Sequence, residues 1–134
     1  MSVSPAMQRY AAEIYRLQQD YQQVSLTLLS NTVDASAQAI SIMVRRLGAG
    51  GFLVHEPYHG VRLTPAGEKI AMPALRRHRV TEVFLVKVMG YDWAGAHELA
   101  DVFENGLNNE LEDRAFELAG RPTRCPPNHR AKPC

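Results

Sequence analysis

At 134 residues the chain can form one compact domain or two small modules sharing a core, and is too short for a large catalytic domain. Its 46% hydrophobic and 22% charged residues describe an ordinary globular protein, not a disordered or fibrous one. No apolar run approaches the roughly 20 residues that span a bilayer. The net charge of +1 hides a division: residues 1–79 carry nine Lys/Arg against five Asp/Glu, and residues 80–134 carry six against nine. A basic first part joined to an acidic second part suits nucleic-acid binding coupled to cation binding. The opening MSVSPAMQRY lacks the basic-then-apolar plan of a secretory signal, so the expected location is the cytoplasm.

The first predicted helix is SPAMQRYAAEIYRLQQD, with Ser4 as cap, Pro5 in the first turn, and Tyr10, Ile14 and Leu17 at helical spacing. VSLTLLSNTV follows as a short second helix with Leu28, Leu29 and Val33 facing inward. Asp34-Ala35-Ser36 reads as a turn plus N-cap, and AQAISIMVRRL as a third helix whose buried stripe is Ile40, Val44 and Leu47. Two short helices joined tightly make a helix-turn-helix. Gly48, Gly50 and Gly51 end the third helix, and FLVHEP and GVRLT form a hairpin around Tyr58-His59-Gly60. Thr64 and Pro65 open a fourth helix running through AGEKIAMPALRRHRVTEVFLVKVMG, which Pro73 is expected to kink or break. This order is that of a winged helix with the hairpin as wing. The predicted fold is mainly α: a winged helix-turn-helix over residues 1–72, a helical dimerisation and metal-binding module over 73–121, and a Pro-rich tail over 122–134.

An α-helix fits the major groove of DNA, and the start of the third helix offers small or polar side chains to it. Gln38 has the paired donor and acceptor that match adenine, while Ala37 and Ala39 could meet a thymine methyl. Ser36, Ser41, Arg45, Arg46 and Arg62 would serve the phosphates, which position the protein without reading sequence.

Further along, His78 and Glu82 stand four apart in RRHRVTEV, and His97, Asp101 and Glu104 stand at i, i+4 and i+7 in HELADVFENGL. Helix geometry places each set on one side. Imidazole and carboxylate together suit a divalent transition metal, with Mn(II) or Fe(II) favoured and Zn(II), Co(II) or Ni(II) also accommodated. DWAGAHELADVFENGLNN and ELEDRAFELAG then supply Ala94, Leu99, Val102, Phe103, Leu107, Leu111, Phe116 and Leu118. That is more apolar surface than two short helices bury alone, so a second subunit is expected. No His-Glu-x-x-His, phosphate loop or nucleophile elbow is present, which argues against an enzyme.

RYAAEIYRL, VDASAQAISIMVRRLGAGGFL, the wing followed by LTPAGEKIA, RRHRVTEVFL and HELADVFE, in that order, resemble the diphtheria toxin repressor and manganese transport regulator family of metal-dependent repressors. The resemblance implies a homodimer whose two winged helices bind double-stranded DNA at a palindromic operator. It also implies that metal orders the N-terminal helix relative to the dimerisation module. Longer members add an SH3-like domain, for which this chain has no room; it is similar in that respect to the short manganese regulators.

The family's ligands carry over unevenly. His78, Glu82 and His97 fall where the ancillary site has two histidines and a carboxylate. Asp101 and Glu104 fall in the activating site, but a family histidine is Asn105 here and the N-terminal ligand is Arg9. A guanidinium has no available lone pair and cannot ligate a cation. Arg9 could instead substitute for the metal by ion-pairing with Asp101 or Glu104, giving a metal-independent regulator of the same fold. In the tail, Cys125, His129 and Cys134 could between them hold a metal, or be two reduced thiols and a histidine in a Pro-rich end.

Overall fold

The computed structural model describes residues 2–123 and divides into two compact units, one ending at Ala74 and the other starting at Leu75. Cys125, His129 and Cys134 lie outside the described residues.

In the first unit, α1 spans Pro5–Leu17, with the Ser4 side chain accepting a hydrogen bond from the Met7 amide. Its inward stripe is Met7, Ala11, Ala12 and Ile14, while Tyr10 and Leu17 are only half-buried at the margins. The stripe keeps the predicted Ile14 and is otherwise turned toward Met7, Ala11 and Ala12. The second helix, α2, spans Leu26–Val33 and buries Leu29; Leu28 and Val33 are half-buried. Asp34 then takes a left-handed conformation (φ 52°), and Ser36 caps α3, Ala37–Ala49, by accepting from the Ala39 amide. Asp34 suits that position because its short polar side chain tolerates left-handed backbone. From α3 the predicted Ile40, Val44 and Leu47 are all buried, joined by Met43. Burying one such aliphatic side chain is worth about 1.5–3 kcal/mol.

The wing consists of β1, Leu53–Glu56, and β2, Gly60–Leu63, antiparallel with Leu53 opposite Leu63 and Val54 opposite Arg62. Alternation puts Leu53, Val61 and Leu63 into the core and Val54 and Arg62 outward. The wing is also pinned along its other edge, which the sequence reading did not anticipate. Val24 and Val61 exchange both backbone hydrogen bonds at 2.8 Å, and the Gln18 side chain accepts from the Leu63 amide at 2.6 Å. Gly60 is required there: its φ is 115°, and a Cβ would stand 2.3 Å from the Val24 carbonyl oxygen.

The Thr64 hydroxyl donates to the Gly51 carbonyl and accepts from the Gly67 amide, closing the wing onto the start of α4, Pro65–Val83. Of the two outcomes expected at Pro73, a kink or a break, the break does not occur, and the helix continues through it. Proline at this point frees the Lys69 carbonyl, and both residues are exposed, so solvent can satisfy the freed group. A π-helical turn, Phe84–Val88, follows directly and ends with the Met89 amide bonded to the Phe84 carbonyl.

The second unit is built from the later part of α4, this π turn, α5 (Trp93–Asn105) and α6 (Asn109–Leu118). Asp92 and Asn108 cap α5 and α6 through the Gly95 and Leu111 amides. Its core is Leu75, Val80, Val83 and Leu85 against Ala96, Ala100, Ala115 and Ala119, with Phe84 and Phe103 stacked at 5.3 Å between centroids. The buried Glu112 on α6 bonds both Arg76, which it approaches closely, and Arg77, at 2.9 Å. Arg76 also reaches Asp113 at 3.1 Å and lies 4.7 Å over the Phe116 ring. These bonds dock α6 on α4.

Candidate DNA-reading face and metal centre

Ser36, Ala37, Gln38 and Ala39 are exposed at the start of α3, and Arg45 and Arg46 are exposed further along it. The Ser36 oxygen is engaged in capping, so only its hydroxyl proton is left for a phosphate. Ser41 is half-buried and accepts from the Arg45 guanidinium at 3.3 Å, which ties that arginine along the helix. Arg62 faces out from the wing. Two neighbours were not singled out from sequence. Ile42 is 44% exposed on α3, and Tyr58 stands wholly exposed at the wing tip with a φ of 68°. An aromatic residue in left-handed backbone at a hairpin tip is uncommon, and the Tyr-His-Gly turn was its only sequence signal.

In the second unit, four of the five predicted metal ligands come together between α4 and α5. Glu82 is the centre: its side chain is 4% exposed, and its Oε1 lies 2.7 Å from His78 Nε2 and 3.6 Å from His97 Nδ1. The other nitrogen of His78, Nδ1, lies 2.9 Å from Glu104 Oε1. Burial alone would raise the Glu82 pKa, but the hydrogen bond from His78 and the charges of His78 and His97 outweigh it and hold the carboxyl below its ordinary range. His97 is 62% exposed, yet its ring is steered by Trp93, stacked on it at 5.3 Å and 17°. That contact was legible only as an i, i+4 spacing. Asp101 is exposed on α5 and takes no part in these bonds.

Among the described residues no trio of His, Cys, Asp or Glu side chains stands as a ready-made metal cage, because the four close on one another. The donor chemistry nevertheless fits a divalent ion. Two imidazole nitrogens face the same carboxylate oxygen, and ligands around such an ion lie about 3.0–3.4 Å from one another, between the 2.7 and 3.6 Å seen here. Glu82 is the anion such an ion requires. Its burial keeps competing water away.

A winged helix with a polar recognition helix, joined to a helical unit with an imidazole–carboxylate cluster, defines the class of metal-linked DNA-binding proteins. The sequence matches the N-terminal DNA-binding domain of the iron-dependent repressors over residues 2–61, and their metal-binding and dimerisation domain over residues 64–132. The chain belongs to the iron-dependent repressor family. It is 28% identical over 115 residues to the HTH-type transcriptional regulator MntR of Lysinibacillus sphaericus, covering 86% of this chain and 82% of that one. It is 27% identical over 117 residues to the iron-dependent repressor IdeR of Mycobacterium tuberculosis, covering 87% of this chain and 51% of the other. A solved manganese-dependent transcriptional repressor in complex with manganese superposes with a TM-score of 0.73 at 33% identity, over 90% of this chain and 55% of that one. The chain thus spans about half the length of its longer relatives. No helix among the described residues is long and apolar enough to cross a membrane.

Proposed function

We propose that this protein is a cytoplasmic, homodimeric transcriptional regulator, acting as a repressor, that binds a palindromic DNA operator in response to a divalent transition metal, Mn(II) or Fe(II) in the first instance. The observation that carries the reading is the convergence of His78 Nε2 and His97 Nδ1 on one oxygen of the buried Glu82. His78, Glu82 and His97 would hold the ion, whose charge would take the place of the protons shared within the cluster and tie α4 to α5. Gln38, Ala37 and Ala39 would read base edges, and Ser36, Ser41, Arg45, Arg46 and Arg62 would position the protein on phosphates. Val102, Leu111 and Leu118, which are 74%, 50% and 68% exposed, supply apolar surface for a second subunit. No catalytic role is assigned to any residue.

A second reading, favoured by Arg9 standing where the family has a ligand, is a regulator of the same fold that binds its operator without metal. Titration of a labelled palindromic operator, followed by fluorescence anisotropy with Mn(II), Fe(II), Zn(II) or chelator, decides between them. Tighter binding with metal is the expected result. Binding indifferent to metal selects the second reading, and no specific binding in any condition overturns both.

A further inference from the structure

The bonds of Glu104 place it elsewhere than its sequence position suggests. Read along α5, Glu104 pairs with Asp101 as half of a second, activating metal site. In the structure it reaches His78 on α4 at 2.9 Å, while Asp101 stays exposed and apart. His78 is therefore bonded from both sides: Nδ1 to Glu104, and Nε2 to Glu82 at 2.7 Å. His78 and Glu104 are both mostly buried, at 17% and 18% exposure, so solvent is a weak competitor for this contact. Histidines that bind metals donate their other ring N–H to a carboxylate or carbonyl, which fixes the tautomer, orients the ring and raises ligand basicity.

We propose that Glu104 is a positioning residue of the His78–Glu82–His97 centre, not a ligand of a second site: it holds the Nδ1–H of His78 and so commits Nε2 to the metal. Among the described residues there is then one metal centre, with an outer carboxylate. The two residues that depart from the family's activating site, Arg9 and Asn105, are consistent with this, because a carboxylate released from that site is free to serve the other. Asp101 is left without a metal role.

The inference rests on the proposed metal reading, and the test separates the failure of one from the failure of the other. Zn(II) binding to the full chain is measured by calorimetry with Cys125→Ser and Cys134→Ser both in place, which removes the tail thiols as zinc ligands, for the otherwise unaltered protein, Glu104→Ala, Glu104→Gln and Asp101→Asn. The ring nitrogens of His78 are followed by NMR in the Zn(II)-loaded proteins. The expected results are one ion per chain throughout, affinity lower by roughly 10- to 100-fold in Glu104→Ala, partial recovery in Glu104→Gln, whose carboxamide oxygen still accepts from Nδ1–H, and no change in Asp101→Asn. The NMR signature is a protonated Nδ1 and a coordinated Nε2 in the unaltered protein, lost or mixed in Glu104→Ala. Two ions per chain, with Glu104→Ala and Asp101→Asn each abolishing one and sparing the other, would overturn the inference while upholding the metal reading. So would a Glu104→Ala protein with unchanged affinity and tautomer. Absence of any Zn(II) binding by the unaltered protein would overturn the metal reading itself, and this inference with it. Glu104→Gln keeps the size of the side chain and carries the same comparison should Glu104→Ala fold poorly.

Discussion

The two units build their working surfaces in opposite ways. The proposed DNA-reading face is centred on a contiguous stretch, residues 36–46, whose geometry is set within a few residues by the Ser36 cap and the left-handed Asp34. Its side chains are mostly exposed and make few bonds to one another. The imidazole–carboxylate cluster is assembled from two helices with His78 and Glu104 26 positions apart, and both ring nitrogens of His78 already have carboxylate partners. Substitution of a reader should therefore change binding and leave folding alone. Substitution within the cluster should change both, since its members join α4 to α5 and are the proposed holders of the ion.

The largest expected effect is that of Glu82→Ala. It removes the buried carboxylate at the centre of the cluster and takes from His78 its Nε2 partner, costing about 3 kcal/mol of metal-free stability by urea denaturation, together with loss of measurable metal binding. An effect on metal binding alone would show that the cluster has no structural share. Next is Glu112→Ala, which strips Arg76 and Arg77 of their shared partner. Both arginines are more than a third exposed and solvent screens them, so the expected cost is nearer 1–2 kcal/mol, with metal affinity unchanged. Gln38→Ala should weaken operator binding by about 1–2 kcal/mol in anisotropy titrations without moving the urea midpoint. A shifted midpoint would break the contrast between the units. The smallest effect is that of Arg62→Ala, which should lower the slope of log affinity against log salt by about 1 and affect operator and random DNA alike.

What was legible from sequence follows the same line. Ser4, Ser36 and Thr64 were readable as caps because a cap acts within three residues of itself, and the stripe of Ile40, Val44 and Leu47 because helical periodicity is local. Whether Pro73 would break the helix was not legible, because that depends on whether the freed carbonyl faces solvent, which no local pattern states. Val24 could not be found, since a single residue pairing with a strand 37 positions away has no periodicity to announce it. Glu112 looks like any acid on the polar side of α6, and only the fold puts two arginines against it. The metal-type residues were recognised by kind and spacing. Their partnership was not, because helix faces tell which side chains share a side of one helix but leave open which helices meet.

The double bond between Val24 and Val61 makes β2 the middle rung of a three-rung ladder, so the root of the wing is clamped while its tip, from Pro57 to His59, projects beyond it. Residues inserted beside Tyr58 should lengthen the reach of the wing at an entropic cost of a fraction of a kcal/mol, leaving α3 undisturbed. On the proposed reading, the wing is where relatives of this chain could vary their grip on DNA flanks independently of α3.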